Sequence, residues 1–174
     1  MNDSTTVEKI ALDAFRSRIV EIIPAQIKAA VDELSEDELW WRPNEKSNSV
    51  GNLVLHLSGS VRHYLARGLG GHSYDRDRAA EFSERGPVAK QELIAIFDET
   101  MRLSKLTLES FDAARFGEAS EEPSYTPTIF HLLLNVSVHM ATHAGQIVYI
   151  AKMLKEGSID ELWIRTHKDY RKNG

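Results

Sequence analysis

The chain has 174 residues, a length most simply read as one domain able to bury a real core. Its net charge of −5 argues against nucleic acid as a partner. With no cysteine it has no disulfide, thiolate ligand or cysteine nucleophile, so any metal must be held by His, Asp or Glu.

The first ten residues, MNDSTTVEKI, contain two acids and no apolar stretch of the kind a signal peptide needs. No apolar run approaches the ~20 residues that span a bilayer. A cytoplasmic protein without membrane partners is the expectation.

Four helical patterns follow, and no strand pattern competes with them. The first runs from about Thr6 to Leu34, with Ile10, Ala14, Ile19, Ile22, Ile27, Ala30 and Val31 on its apolar side. Pro24 lies inside it, so a kink or restart is expected there. Ser35 then caps a short turn, SEDELWW, whose three leading acids suit the positive end of a helix dipole. Ser49 is the expected N-cap of the second long helix, Val50 to about Arg67, which Gly68, Gly70 and Gly71 end. The short link between the first two helices predicts antiparallel neighbours.

Residues 70–87 read as a polar connection, with Arg76, Asp77, Arg78 and Glu81 as a solvated salt-bridge network worth little. Pro87 opens the third helix, about Val88 to Ser110. Thr126 and Pro127 form an N-cap and N1 pair for the fourth, which runs to about Glu156 and stops at Gly157. A tail from about residue 158 docks in part, through Leu162, Trp163 and Ile164. Four amphipathic helices over one domain, 1–174, make an all-α four-helix bundle the expected architecture.

The fourth helix carries the most specific signal. His139 and His143 sit four residues apart in VSVHMATHAGQIVYIAKML, so their rings project about 40° from one another on one face. They border the stripe of Leu132, Val136, Ile147, Ile150 and Leu154. Two imidazoles so placed can share one transition metal. A third ligand is needed, and five more histidines are available. His72 and His167 read as solvated. His131 projects about 80° from His139, away from His143. His56 and His63 share a face of the second helix, and periodicity does not choose between them. Met140 follows His139 where a zincin motif carries its glutamate, so the pair brings no general base.

Three stretches carry a resemblance. WWRPNEKSNSVGNLVLHLSGSVRHYL resembles the N-terminal half of the DinB-like metal-binding four-helix-bundle proteins, and HMATHAGQIVYIAKML resembles their last helix. YDRDRAAEF resembles the inter-helix segment of one uncharacterised bacterial branch. The match runs in order from about residue 35 to 155. It implies an up-down-down-up bundle with a long crossover between the second and third helices, and a homodimer. It also implies a divalent metal, Zn or Ni, held by His56, His139 and His143, and so selects His56 over His63. An acidic residue often precedes the first His of the pair in this branch. Here that residue is Val138, with Asn135 and Thr142 also neutral, so this turn supplies no acid to the site.

Characterised relatives in that family include bacillithiol transferases and mycothiol-dependent maleylpyruvate isomerase. The resemblance therefore implies a metal-dependent enzyme with a small-molecule substrate, either adding a low-molecular-weight thiol to an electrophile or hydrolysing a substrate with metal-bound water. The alternative is a non-catalytic, dimeric, stress-related metal binder. Gln146, one turn after His143, is a candidate auxiliary. Trp40, Trp41 and Arg42 either line the site mouth, with Arg42 meeting a carboxylate of the thiol, or form a hydrophobic plug with a surface arginine.

Overall fold

A computed structural model describes residues 6–86, 88–121 and 125–155. The described chain is helical: α1 (7–33), α2 (Glu36–Trp40), α3 (50–67), α4 (Arg78–Ser83), α5 (Lys90–Ser110) and α6 (Ile129–Leu154). A 3-10 turn, Ala113–Gly117, sits between the last two. The long helices α1, α3, α5 and α6 form an all-α bundle around a core that includes Phe15, Ile19, Leu57, Phe97, Leu133, Met140 and Ile147. No described helix is long and apolar enough to cross a membrane.

The helix starts follow local hydrogen-bond chemistry. Ser35 and Ser49 each close a capping box, with Glu38 and Asn52 as the returning side chains. Two starts differ from expectation. Helix α5 begins at Lys90, whose backbone N–H donates to Glu36 Oε1 at 3.0 Å, so a carboxylate of α2 takes the place of a local cap. The residue expected to open it, Pro87, lies outside the described residues. Helix α6 is capped by Thr128 rather than Thr126, because Ala119 and Thr128 pair in an isolated antiparallel bridge and Ile129 N–H reaches the Glu118 carbonyl at 3.0 Å. At the far end Leu154 is the last helical residue described; Glu156, Gly157 and the tail with Leu162, Trp163, Ile164 and His167 lie outside the described residues.

Pro24 does not break the helix, but α-helical winding restarts at Ile23, which puts the proline in the first turn of the resumed segment. The helix passes through it because Ser17–Ile22 is wound as a π-helix, with Ile23 N–H bonded to the carbonyl of Arg18 five residues back. The wider turn accommodates a residue that cannot donate. A second π segment, Arg62–Arg67, closes α3.

Packing partners overturn one expectation. Helix α1 packs on α6 and α5, and α3 packs on α5 and α6, so α1 and α3 face each other across the diagonal. Directions can be read from paired contacts. Arg16 donates to the Leu108 carbonyl while Lys90 Nζ reaches the Leu34 carbonyl, so α1 and α5 run oppositely. Phe15 meets Phe130 near one end and Glu38 meets Lys155 near the other, so α1 and α6 run together. The link from α1 to α3 is occupied by α2, whose Leu39 is fully buried, and it crosses the bundle end instead of making a tight hairpin.

Candidate metal centre

The antiparallel register of α3 against α6 decides which histidines meet. His56 Nε2 lies 3.0 Å from His139 Nε2, and His139 Nε2 lies 3.0 Å from His143 Nε2. One ligand atom from each ring falls within 4.8 Å of the others, the only such group among the described residues. Two metal–nitrogen bonds of about 2.0–2.1 Å put adjacent ligands roughly 2.8–3.4 Å apart at bond angles between octahedral and tetrahedral values. The observed spacing fits. His63 stands two turns, about 10 Å, further along α3 and cannot reach the same point. It packs edge-on against Tyr64 instead. His131 is exposed and bonded to Thr128 Oγ1 at 2.8 Å.

The far side of each ring fixes which nitrogen is free. Glu81 Oε2 accepts from His56 Nδ1 at 2.9 Å, and Gln146 Oε1 accepts from His143 Nδ1 at 2.7 Å. His139 Nδ1 has the looser partner, Ser60 Oγ at 3.4 Å. With Nδ1 protonated, His56 and His143 both turn a lone pair toward the centre. A proton on His139 Nε2 satisfies at most one of the two 3.0 Å contacts fully. One divalent cation could take a lone pair from all three nitrogens.

Burial, with the neighbouring His143 and His56, lowers the His139 pKa to about 4, so at neutral pH it is an uncharged base able to ligate a metal. Burial lowers His143 as well, against the opposing effect of its hydrogen bond to the Gln146 oxygen.

Glu81 is the residue that sequence reasoning missed. Instead of belonging to a solvated network, its side chain is 7% exposed and that of Arg76 9%. Arg76 grips the carboxylate with both arms, Nε to Oε1 at 2.7 Å and Nη2 to Oε2 at 2.8 Å. Burial pushes the Glu81 pKa up, but the Arg76 and His56 hydrogen bonds outweigh it and hold the group below the usual carboxylate range. Glu81 is thus a fixed anion that orients His56, with both oxygens committed.

Three features of the chain place it there. Asp77 caps α4, its side chain accepting from Ala80 N–H at 2.9 Å. Asn52 of α3 donates to the carbonyls of Glu81 and Glu84 at 3.1 and 2.9 Å, pinning α4 along α3. Gly59 leaves the space: a Cβ there would stand 2.8 Å from Glu81 Cδ and closer still to Oε1. Phe82 then covers the His56 ring, with centroids 4.6 Å apart. Asp77 and Arg78 are exposed, as the sequence suggested.

The family model that matches this chain covers residues 7–168. The chain belongs to the family described as protein of unknown function DUF1572. The match spans all three histidines, Glu81 and every described helix. No curated protein matches the chain.

For this DUF1572 member the remaining candidates divide. Trp40 is a plug: its ring covers Gly51 and Gly86 and its indole N–H donates to the Val88 carbonyl at 3.3 Å. Trp41 lines a cavity that also reaches Gln146. Arg42 is half-buried, and its Nη1 is enclosed without a hydrogen-bond partner among the described residues, so it is not a plain surface arginine. His56 is buried, whereas His139 and His143 are only partly covered, so the cluster opens toward solvent on the α6 side.

Proposed function

We propose that this chain is a divalent-metal-dependent enzyme of DinB-like type, binding zinc or nickel through His56, His139 and His143 and transferring a low-molecular-weight thiol to an electrophile, or hydrolysing its substrate with water. The observation that carries the reading is the convergence of three imidazole Nε2 atoms whose opposite nitrogens are engaged by Glu81, Gln146 and Ser60. The stretches resembling the DinB-like proteins supply the reaction class.

A divalent ion held by three neutral ligands keeps its charge and open positions, and supplies the acidity that turns a thiol or water into a nucleophile at neutral pH. The chain's own residues do the rest. Glu81, locked by Arg76, holds the His56 ring and makes it more basic. Gln146 fixes the tautomer of His143 and keeps its amide NH2 free to donate to a bound substrate. Phe82 shields His56 from water on one side. Partial exposure of His139 and His143 supports an enzyme over a closed structural site, in which all positions are filled by protein.

Apo protein reconstituted with zinc or nickel is to be screened with thiols against model electrophiles and with hydrolysable esters and amides. Metal-dependent turnover lost in His139→Ala supports the reading. Metal binding without turnover of any of these favours the non-catalytic binder.

The homodimer in this reading uses the outer face of α6. Leu134, Val138, Ala141, Gly145, Val148 and Lys152 recur there at heptad spacing, the pattern of a helix seam. Leu134 and Val138 are about half exposed, and a Cβ on Gly145 would meet nothing within 4 Å. A second copy laying its own α6 there would cover them. Sedimentation showing only monomer at micromolar concentration counts against it.

A further inference from the structure

Beside the histidine cluster lies a cavity of about 510 Å³, between the segment that follows α2 and the last turns of α6. Its size is that of a small-molecule site. Trp41, Leu53 and Ile150 form apolar walls, and Lys46, Asn48 and Gln146 are polar points on its lining. No acidic residue lines it among the described residues. Lys46 takes part in no ion pair among the described residues. Lys46 is therefore a cationic point on an apolar hollow, with no acid among its described lining residues.

Gln146 connects this hollow to the cluster. Its carbonyl oxygen is committed to His143 Nδ1, so the amide NH2 is the part left for a ligand. Leu53 and Ile150 each stand on the same helices as the histidines, one turn from His56 and two turns from His143.

We infer that this cavity binds a small organic carboxylate with an aromatic or branched alkyl body, its body against Trp41, Leu53 and Ile150 and its carboxylate at Lys46. The arrangement sorts ligands by two independent demands. An apolar body gains from leaving water against three apolar walls, and an unpaired ammonium at the rim selects the sign of the charge. A neutral analogue loses the second contribution, and a cationic one meets repulsion. The inference rests on the metal reading only in making this ligand the substrate; the cavity and its charge stand without it.

The test uses the full-length ¹⁵N-labelled chain, with and without one equivalent of zinc, its metal content measured on the same samples. The probes are 4-phenylbutyrate, 4-phenylbutanamide and 4-phenylbutylamine, followed by amide chemical shifts. The carboxylate is expected to move amides in residues 41–53 and 146–153, to bind more tightly than the amide, and to outbind the amine. Lys46→Glu, an exposed loop change that spares the core, is expected to weaken the carboxylate about tenfold and to favour the amine.

Equal binding of carboxylate and amine overturns the inference. So do shifts confined to residues 139–143 and seen only with zinc, since the carboxylate would then be a mere metal ligand. Shifts centred on the outer face of α6, around Leu134, Val138 and Gly145, overturn it as well. Samples that take up no zinc yet show the expected shifts refute the metal reading and leave the carboxylate site standing.

Discussion

Gly59→Ala sets two effects against each other with opposite signs. In a helix interior alanine is favoured over glycine by about 1 kcal/mol. Here the new methyl would enter the space of the Glu81 carboxylate, 2.8 Å from Cδ and nearer to Oε1. The carboxylate has no slack, because Arg76 holds it by two bonds of 2.7 and 2.8 Å and His56 by a third of 2.9 Å. Each charge-assisted bond contributes about 1.5–3 kcal/mol, so displacing even one outweighs the propensity gain. The expected result is a net loss of roughly 0.5–2 kcal/mol in urea unfolding. Loss of the His56 orienting contact should cost about 10–100-fold in zinc affinity, measured by competition with a chromophoric chelator. In a Glu81→Ala background the obstacle is gone, and the same glycine change should then stabilise the protein, a sign reversal visible in a double-mutant cycle. A Gly59→Ala protein that is more stable than wild type and binds zinc equally well would refute the placement of Glu81 against α3.

Arg76→Leu leaves a buried carboxylate without its partner and should cost about 3–5 kcal/mol in chemical denaturation, far above the fraction of a kcal/mol expected of a surface pair. Chelation should leave helical circular dichroism at room temperature intact, because a large apolar cluster shared by the four long helices holds them together, while the melting temperature falls by the lost ligand stabilisation; collapse of the helical signal would mean a structural metal. The metal-free protein should lose stability on acidification. His139 titrates near 6.5 when unfolded and at about 4 when folded, so between those values the unfolded chain binds more protons and protonation favours unfolding. Denaturation midpoints of apo protein followed from pH 7 to pH 4 check the direction, and a midpoint that rises on acidification contradicts it.

Much of the fold was legible because it depends on period and caps. The 3.6-residue apolar spacing marked all four long helices, and Ser35 and Ser49 announced two starts by side-chain chemistry alone. The α5 start was hidden because its cap, Glu36, comes from 54 residues away. The path through Pro24 was hidden because a π turn leaves no compositional trace. At the site, His139 and His143 were visible because both lie on one helix, whereas the meeting of His56 with them depends on the register between α3 and α6, which no local pattern encodes. Glu81 was misread for a physical reason. RDRAAEF has the composition of a solvated charge run, and only the space at Gly59 and the grip of Arg76 and Asn52 turn that acid inward. The Asp77 cap before AAEF was the one local sign that this connection holds a helical turn.

The central claim is that the three imidazole nitrogens hold one divalent ion. Its most direct test is elemental analysis of tag-free protein after equilibration with zinc or nickel and removal of unbound metal, for wild type, His56→Ala, His139→Ala, His143→Ala and His63→Ala. About one ion per chain in wild type and His63→Ala, with loss in each of the other three, is the predicted result. Full occupancy in His139→Ala and His143→Ala, or loss in His63→Ala with retention in His56→Ala, would contradict it.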